Sequence, residues 1–112
     1  MKKLSYKYAI IVPSDYNGSG YTHSQAQAEV EKYLSELCGG CTSTAGKGNW
    51  VNSNGDLVTE EVIIVTAYSE LDVAERLRAY AIEACKRWTQ ESVAIEHSNA
   101  LWLIEASDQP MI

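Results

Sequence analysis

The run Val62-Ile63-Ile64-Val65 is apolar at four consecutive positions, inside a segment, Leu57 to Tyr68, rich in β-branched residues. Alternation marks a strand with one wet face, and its loss marks a strand covered on both faces. This segment therefore belongs at the centre of a sheet. The rest of the chain must supply its neighbours and its covering layer.

Neighbouring strands are legible on either side. Residues 5–12 place Tyr6, Tyr8, Ile10 and Val12 on one face and Lys7, Ala9 and Ile11 on the other, until Pro13 stops the ladder. Thr42 to Val51 reads as a weaker strand, in which Gly46 and Gly48 predict a bulge or a close backbone approach. Asn52-Ser53-Asn54-Gly55 is a hairpin signal joining it to the central strand, because Asn-Gly accepts positive φ. On this reading Trp50 and Glu60 face each other across the hairpin. Ser92 to Glu96 and Ala100 to Ile104 are further strand segments, separated by His97-Ser98-Asn99; they form either one bent strand or a hairpin.

Two helices account for the covering layer. Thr22 and Gln25 have the spacing of a capping box, and Ala26, Val30, Tyr33, Leu34 and Leu37 follow at helical spacing up to Gly39-Gly40. Asp72 and Glu75 repeat the box ahead of a stripe of Val73, Leu77, Tyr80, Ala81, Ala84 and Trp88, with Lys86 and Arg87 suited to the negative helix end. The order β-α-β-β-α-β predicts an α+β, ferredoxin-like two-layer sandwich: an antiparallel sheet with two helices on one face, plus an extra C-terminal strand if the last segments form a hairpin. At 112 residues the chain fits one domain, with an ordered core over about 5–106 and a frayed tail from Ser107 to Ile112.

The uncovered sheet face must be wet or buried by another subunit. Three tryptophans and seven tyrosines exceed what one small core needs, which predicts self-association as a dimer or trimer. The net charge of −6 disfavours nucleic acid and anionic membranes as partners. The apolar start, Tyr8 to Val12, is too short for a membrane span or a signal peptide, so a cytoplasmic protein with reduced thiols is expected.

Cys38-Gly39-Gly40-Cys41 invites a redox or zinc reading. The pair falls at a helix C-terminus, where the dipole disfavours thiolate, and the other candidate ligands, Cys85, His23 and His97, are scattered along the sequence. The expectation is therefore no metal and no cofactor, with Cys85 a core residue.

Three short motifs carry a resemblance: Gly48-Asn49-Trp50, then Gly55-Asp56-Leu57-Val58-Thr59-Glu60, then Gln90-Glu91-Ser92-Val93. They resemble an uncharacterised bacterial domain family with a Gly-x-Trp strand, a Gly-x-hydrophobic-Val-x-Glu return strand and a helix running into Gln-Glu-Ser-Val. The similarity spans roughly residues 8–96 and departs from the family pattern in the first helix. It implies a compact α/β fold and carries no activity or residue role.

The segment from Ser14 to Tyr21 is the best candidate ligand loop. It delivers Tyr16, Gly18, Gly20 and Tyr21 to the start of the first helix, next to His23, where backbone N–H groups suit a small anionic ligand. Trp50 joins these as a candidate contact. No Ser-His-Asp or Cys-His set can be read, so no catalytic residue is assigned. The leading expectation is a non-catalytic binding module for a small ligand or protein. The alternative is a small enzyme of the dimeric α/β-barrel type, with a pocket on the open sheet face and His23 or a tyrosine moving a proton.

Overall fold

The β-branched and aromatic segments pair as one sheet, and the two stripe-bearing segments close one face of it. The computed structural model describes residues 1–109. The elements run β1 (Tyr6–Val12), α1 (His23–Cys38), β2 (Thr42–Val51), β3 (Leu57–Ser69), α2 (Ala74–Arg87), β4 (Ser92–His97) and β5 (Ala100–Glu105). The strand order is β2-β3-β1-β4-β5, with each neighbouring pair antiparallel. This is the ferredoxin-like α+β arrangement with one strand added beyond β4. That strand resolves the open alternative: Ser98 and Asn99, at φ of 53° and 60°, form a two-residue turn that folds β5 back onto β4.

The apolar run of β3 lies between β1 and β2, with Ile63 opposite Val12 and Ala45, and Val65 opposite Ile10 and Ser43. The core forms where α1 and α2 cover one face. Ala26, Val30 and Leu34 of α1, Leu77 and Ala81 of α2 and Trp88 at its C-cap meet Tyr8, Ile10, Val65, Val93 and Ile95 of the sheet. By alternation Lys7, Ala9, Ile11, Val62, Ile64, Thr66, Tyr68, Leu101 and Leu103 lie on the opposite, helix-free face. The aromatic surplus is distributed accordingly: Trp88 is fully buried, while Trp50 and Trp102 stay 45% and 40% exposed.

Helix caps divide between expectation and correction. Thr22 and Gln25 form the full capping box, and Gly39 takes the left-handed position at φ 96°. At α2 the N-cap is Val73 with no side-chain cap bond, so the predicted Asp72–Glu75 box does not form. Asp72 has another task. Its carboxylate accepts from the Ala74 N–H at 3.0 Å and from the Tyr8 hydroxyl at 2.9 Å, which ties the turn to β1.

The β2–β3 hairpin also differs in detail. Its ladder is continuous from Thr42↔Thr66 to Val51↔Leu57, so Gly46 and Gly48 create no bulge. A Cβ at either glycine would meet Val62 at ordinary contact distance, 3.7 and 3.4 Å, on the helix-free face. The turn spans Asn52–Asp56: the Asn52 side-chain oxygen accepts from the N–H groups of Asn54 and Asp56, and Gly55 sits at φ 82°. Trp50 pairs with Val58 and Glu60 with Gly48, so Trp50 and Glu60 share a face as diagonal neighbours and not as direct partners. Past Ile63, β3 has no pairing to β1, so residues 57–62 and their β2 partners project as a two-stranded arm. At the other end, Glu105 N–H donates to Asp108 and Asp108 N–H to Glu105, which closes a turn where fraying was expected; the 110–112 part of that expectation lies outside the described residues.

Candidate functional site

The loop between β1 and α1 is a folded structure tied to β3 and to the end of α2. Asn17, at φ 51°, and Gly18 and Gly20, at φ 74° and 93°, turn the chain sharply. The Ser14 N–H and hydroxyl both donate to one oxygen of Glu60, at 3.3 and 3.1 Å, which anchors the loop to β3. Asn17 donates to the Thr89 carbonyl at 2.6 Å and Gln90 donates to the Asp15 carbonyl at 2.7 Å, which anchors it to the end of α2.

The expected ligand residues divide among different surroundings. Tyr16 is only 4% exposed and packs edge-on against Trp88, with ring centroids 5.9 Å apart. Tyr21 is half-buried and donates to Glu29 at 3.2 Å. Gly18 and Gly20 are turn positions with open space beside them. His23 begins α1 and donates from Nδ1 to the Pro13 carbonyl at 2.6 Å. It lines a cleft of about 420 Å³ with Ala45, Gly46, Lys47, Glu61, Val62 and Ile63. Trp50 lies on the projecting arm, on the helix-free face that also carries Glu60. The loop and arm thus bring His23, Glu60, Glu61 and Trp50 to one end of the molecule. The capping box already engages the Gln25 N–H, which narrows what the α1 N-terminus can offer an anion.

Two groups were missed from sequence alone. Glu29 accepts from Tyr21, Tyr80 and Arg87, the last at 2.8 Å, and Tyr80 stacks on Tyr33 at 3.9 Å. Burial raises the Glu29 carboxyl, but Arg87 and the two hydroxyls outweigh it and hold the group below the ordinary carboxylate value. This network locks α1 to α2 and fixes Tyr21 at the base of the loop. The second is the role of Glu60, named from sequence only as a neighbour of Trp50: the loop is bonded to its side chain, and no local motif announces that pairing across 46 positions.

At the far end of the sheet, Cys38 and Cys41 are half-buried and line a second cleft of about 350 Å³ with Lys2, Thr42, Thr66 and Tyr68. Burial, then the neighbouring Cys41, pushes the Cys38 thiol up, opposite to what a reactive thiolate needs. Cys85 is a core residue whose thiol donates to the Ile104 carbonyl at 2.9 Å. Among the described residues no three His, Cys, Asp or Glu side chains gather as a metal site.

No family model matches the chain, and no curated protein matches it. Two solved structures do. A phage SAM lyase in complex with S-methyl-5'-thioadenosine has a TM-score of 0.70 at 17% identity, over 97% of this chain and 98% of that one. A phage SAM lyase in the apo state has a TM-score of 0.61 at 19% identity, over the same shares of the two chains. At such identity the likeness establishes the fold. The leading expectation of a non-catalytic binding module is corrected by this finding: both solved structures that share the fold over nearly their whole length are lyases, which favours the small-enzyme alternative.

Proposed function

We propose that this chain is a small lyase acting on a nucleoside sulfonium of the S-adenosylmethionine type, with its site at the end of the sheet where the first loop meets the projecting arm. The observation that carries this reading is the end-to-end fold shared with a lyase that holds S-methyl-5'-thioadenosine. In this chain, that end of the fold presents a fixed carboxylate and an exposed indole on one face.

The local chemistry is consistent with such a substrate. Glu60 is half-buried and oriented by two bonds from Ser14, so it can accept from ribose hydroxyls without first being immobilised. Trp50 offers a 45% exposed ring for a base to stack on. The net charge of −6 draws in a substrate whose sulfonium and ammonium outweigh its carboxylate. When the C–S bond breaks, its electron pair stays on sulfur and a neutral thioether leaves. A lyase uses no water, so the replacing electrons come from the substrate itself. Charge is lost in that step, and an apolar, water-poor surrounding accelerates it.

A second copy of the chain would provide that surrounding. An isolated two-stranded hairpin is marginal in water, yet the arm exposes Val51 and Leu57 at 66% and 70%, and the helix-free face exposes Leu101 and Leu103 at 57% and 62%. Covering these surfaces would close the site over Ile11, Val62 and Ile64.

The test is direct. Purified protein is incubated with S-adenosylmethionine and the release of S-methyl-5'-thioadenosine is followed by chromatography. Glu60→Gln should lower turnover by at least tenfold. Sedimentation should give more than one chain per particle. A monomer that neither binds nor cleaves the sulfonium would overturn the proposal.

A further inference from the structure

Of the buried polar side-chain atoms that lack a partner among the described residues, two belong to one ring contact: the Tyr16 hydroxyl and Trp88 Nε1. The contrast with other tyrosines is sharp. The hydroxyls of Tyr8, Tyr21, Tyr33 and Tyr80 are all bonded. A phenylalanine would fill the Tyr16 slot equally well, since the hydroxyl contributes no bond there and an unpaired buried donor destabilises the state that buries it. The hydroxyl is nonetheless within electrostatic reach of Glu60 and Glu29: after burial itself, these carboxylates are what raises its pKa.

Tyr16 also sits between the loop's anchors. Ser14, two residues before it, is bonded to Glu60, and Asp15 and Asn17 on either side are bonded to Gln90 and Thr89. The bonds of Asp15 and Asn17 to the α2 end are exposed, so water can replace them at small net cost, while Ser14 keeps its hold on Glu60. The loop is therefore held by exchangeable contacts around a side chain whose polar end is unsatisfied where it stands.

We propose that Tyr16 is a ligand-binding residue stored out of the site: residues 15–21 have a second state in which, with Ser14 still bonded to Glu60, Tyr16 leaves Trp88 and its hydroxyl bonds the nucleoside held beside Glu60. This rests on the functional reading above and adds a residue and a movement to it. Departure of Tyr16 uncovers one edge of Trp88, which supplies a reporter remote from the substrate.

Three measurements on the wild type and Tyr16→Phe test this: thermal unfolding without ligand, calorimetric titration with S-methyl-5'-thioadenosine, and fluorine NMR of 5-fluorotryptophan-labelled protein. The variant should melt at or above the wild-type temperature and bind the nucleoside at least tenfold more weakly. In the wild type, the Trp88 resonance should shift on saturation. A lower melting temperature would show that the hydroxyl already has a partner, such as an internal water, and overturn the inference. A loss of affinity below tenfold, or an unmoved Trp88 resonance at saturation, would overturn it too. A wild type that fails to bind the nucleoside sinks the functional reading itself, whereas a wild type that binds beside an equally competent variant sinks only the role of Tyr16.

Discussion

Replacing Glu29 by glutamine removes the charge from the network that joins α1 to α2 while keeping its shape. The carboxylate accepts from Tyr21, Tyr80 and Arg87, and the ion pair to Arg87 measures 2.8 Å with side chains 27% and 37% exposed. Hydrogen bonds to a charged group contribute about 1.5–3 kcal/mol each when buried, but partial exposure and salt screening cut this well down. Glutamine keeps one acceptor oxygen and loses the ionic component, so the expected cost at pH 7 is about 1–2 kcal/mol. For a chain of this length that corresponds to a fall in Tm of roughly 4–8 °C. The pH dependence sharpens the test. The Glu29 carboxyl is raised by burial but held low overall by Arg87, Tyr80 and Tyr21. A depressed folded-state value means the stabilisation is complete above the ordinary carboxylate range and is lost as pH falls through the folded value. Urea unfolding of wild type and Glu29→Gln should therefore differ most near neutrality and converge in acid. A difference under about 0.3 kcal/mol at pH 7 would refute the assignment; so would a full penalty persisting below the folded-state value.

Other outcomes follow from the same structure. Gly55→Val forces a β-branched residue to φ 82° in the arm's turn and should cost about 1–3 kcal/mol by thermal unfolding; an unchanged Tm would contradict the turn geometry. The double variant Cys38→Ser, Cys41→Ser should fold, as circular dichroism would show, and should match the wild type in the proposed sulfonium-cleavage test, because neither thiol lies at the loop-and-arm end. Leu103→Lys, at a position 62% exposed on the helix-free face, should leave the monomer fold intact by circular dichroism and break up the proposed self-association in sedimentation; unchanged assembly would remove that face from the proposed interface.

The elements that local chemistry governs could be read from the chain. Thr22 and Gln25 make their box because a cap needs only residues three apart, and Gly39 ends α1 because its φ of 96° suits no side chain well. The four-residue apolar run placed β3 between two strands. Alternation put Tyr8 and Ile10 on one face of β1, which the structure turns to the helices, and Trp88 lies at the core end of the α2 stripe. What failed did so where a distant partner outbid a local one. Asp72 fits a capping box by spacing, but the Tyr8 hydroxyl, 64 positions away, draws its carboxylate into a different turn. Tyr16 reads as a loop aromatic, yet Trp88 buries it.

The sequence by itself therefore determined most of the elements, the two layers and which β1 residues share a face, because periodicity, capping and turn preference act over a few residues. Tertiary structure alone decided that β5 folds back on β4. It also decided that Ser14 is held by Glu60, that Glu29 gathers Tyr21, Tyr80 and Arg87, and that the Tyr16 hydroxyl finds no partner among the described residues. Each of these depends on side chains far apart in the chain meeting at a distance set by packing, and no local pattern encodes that distance.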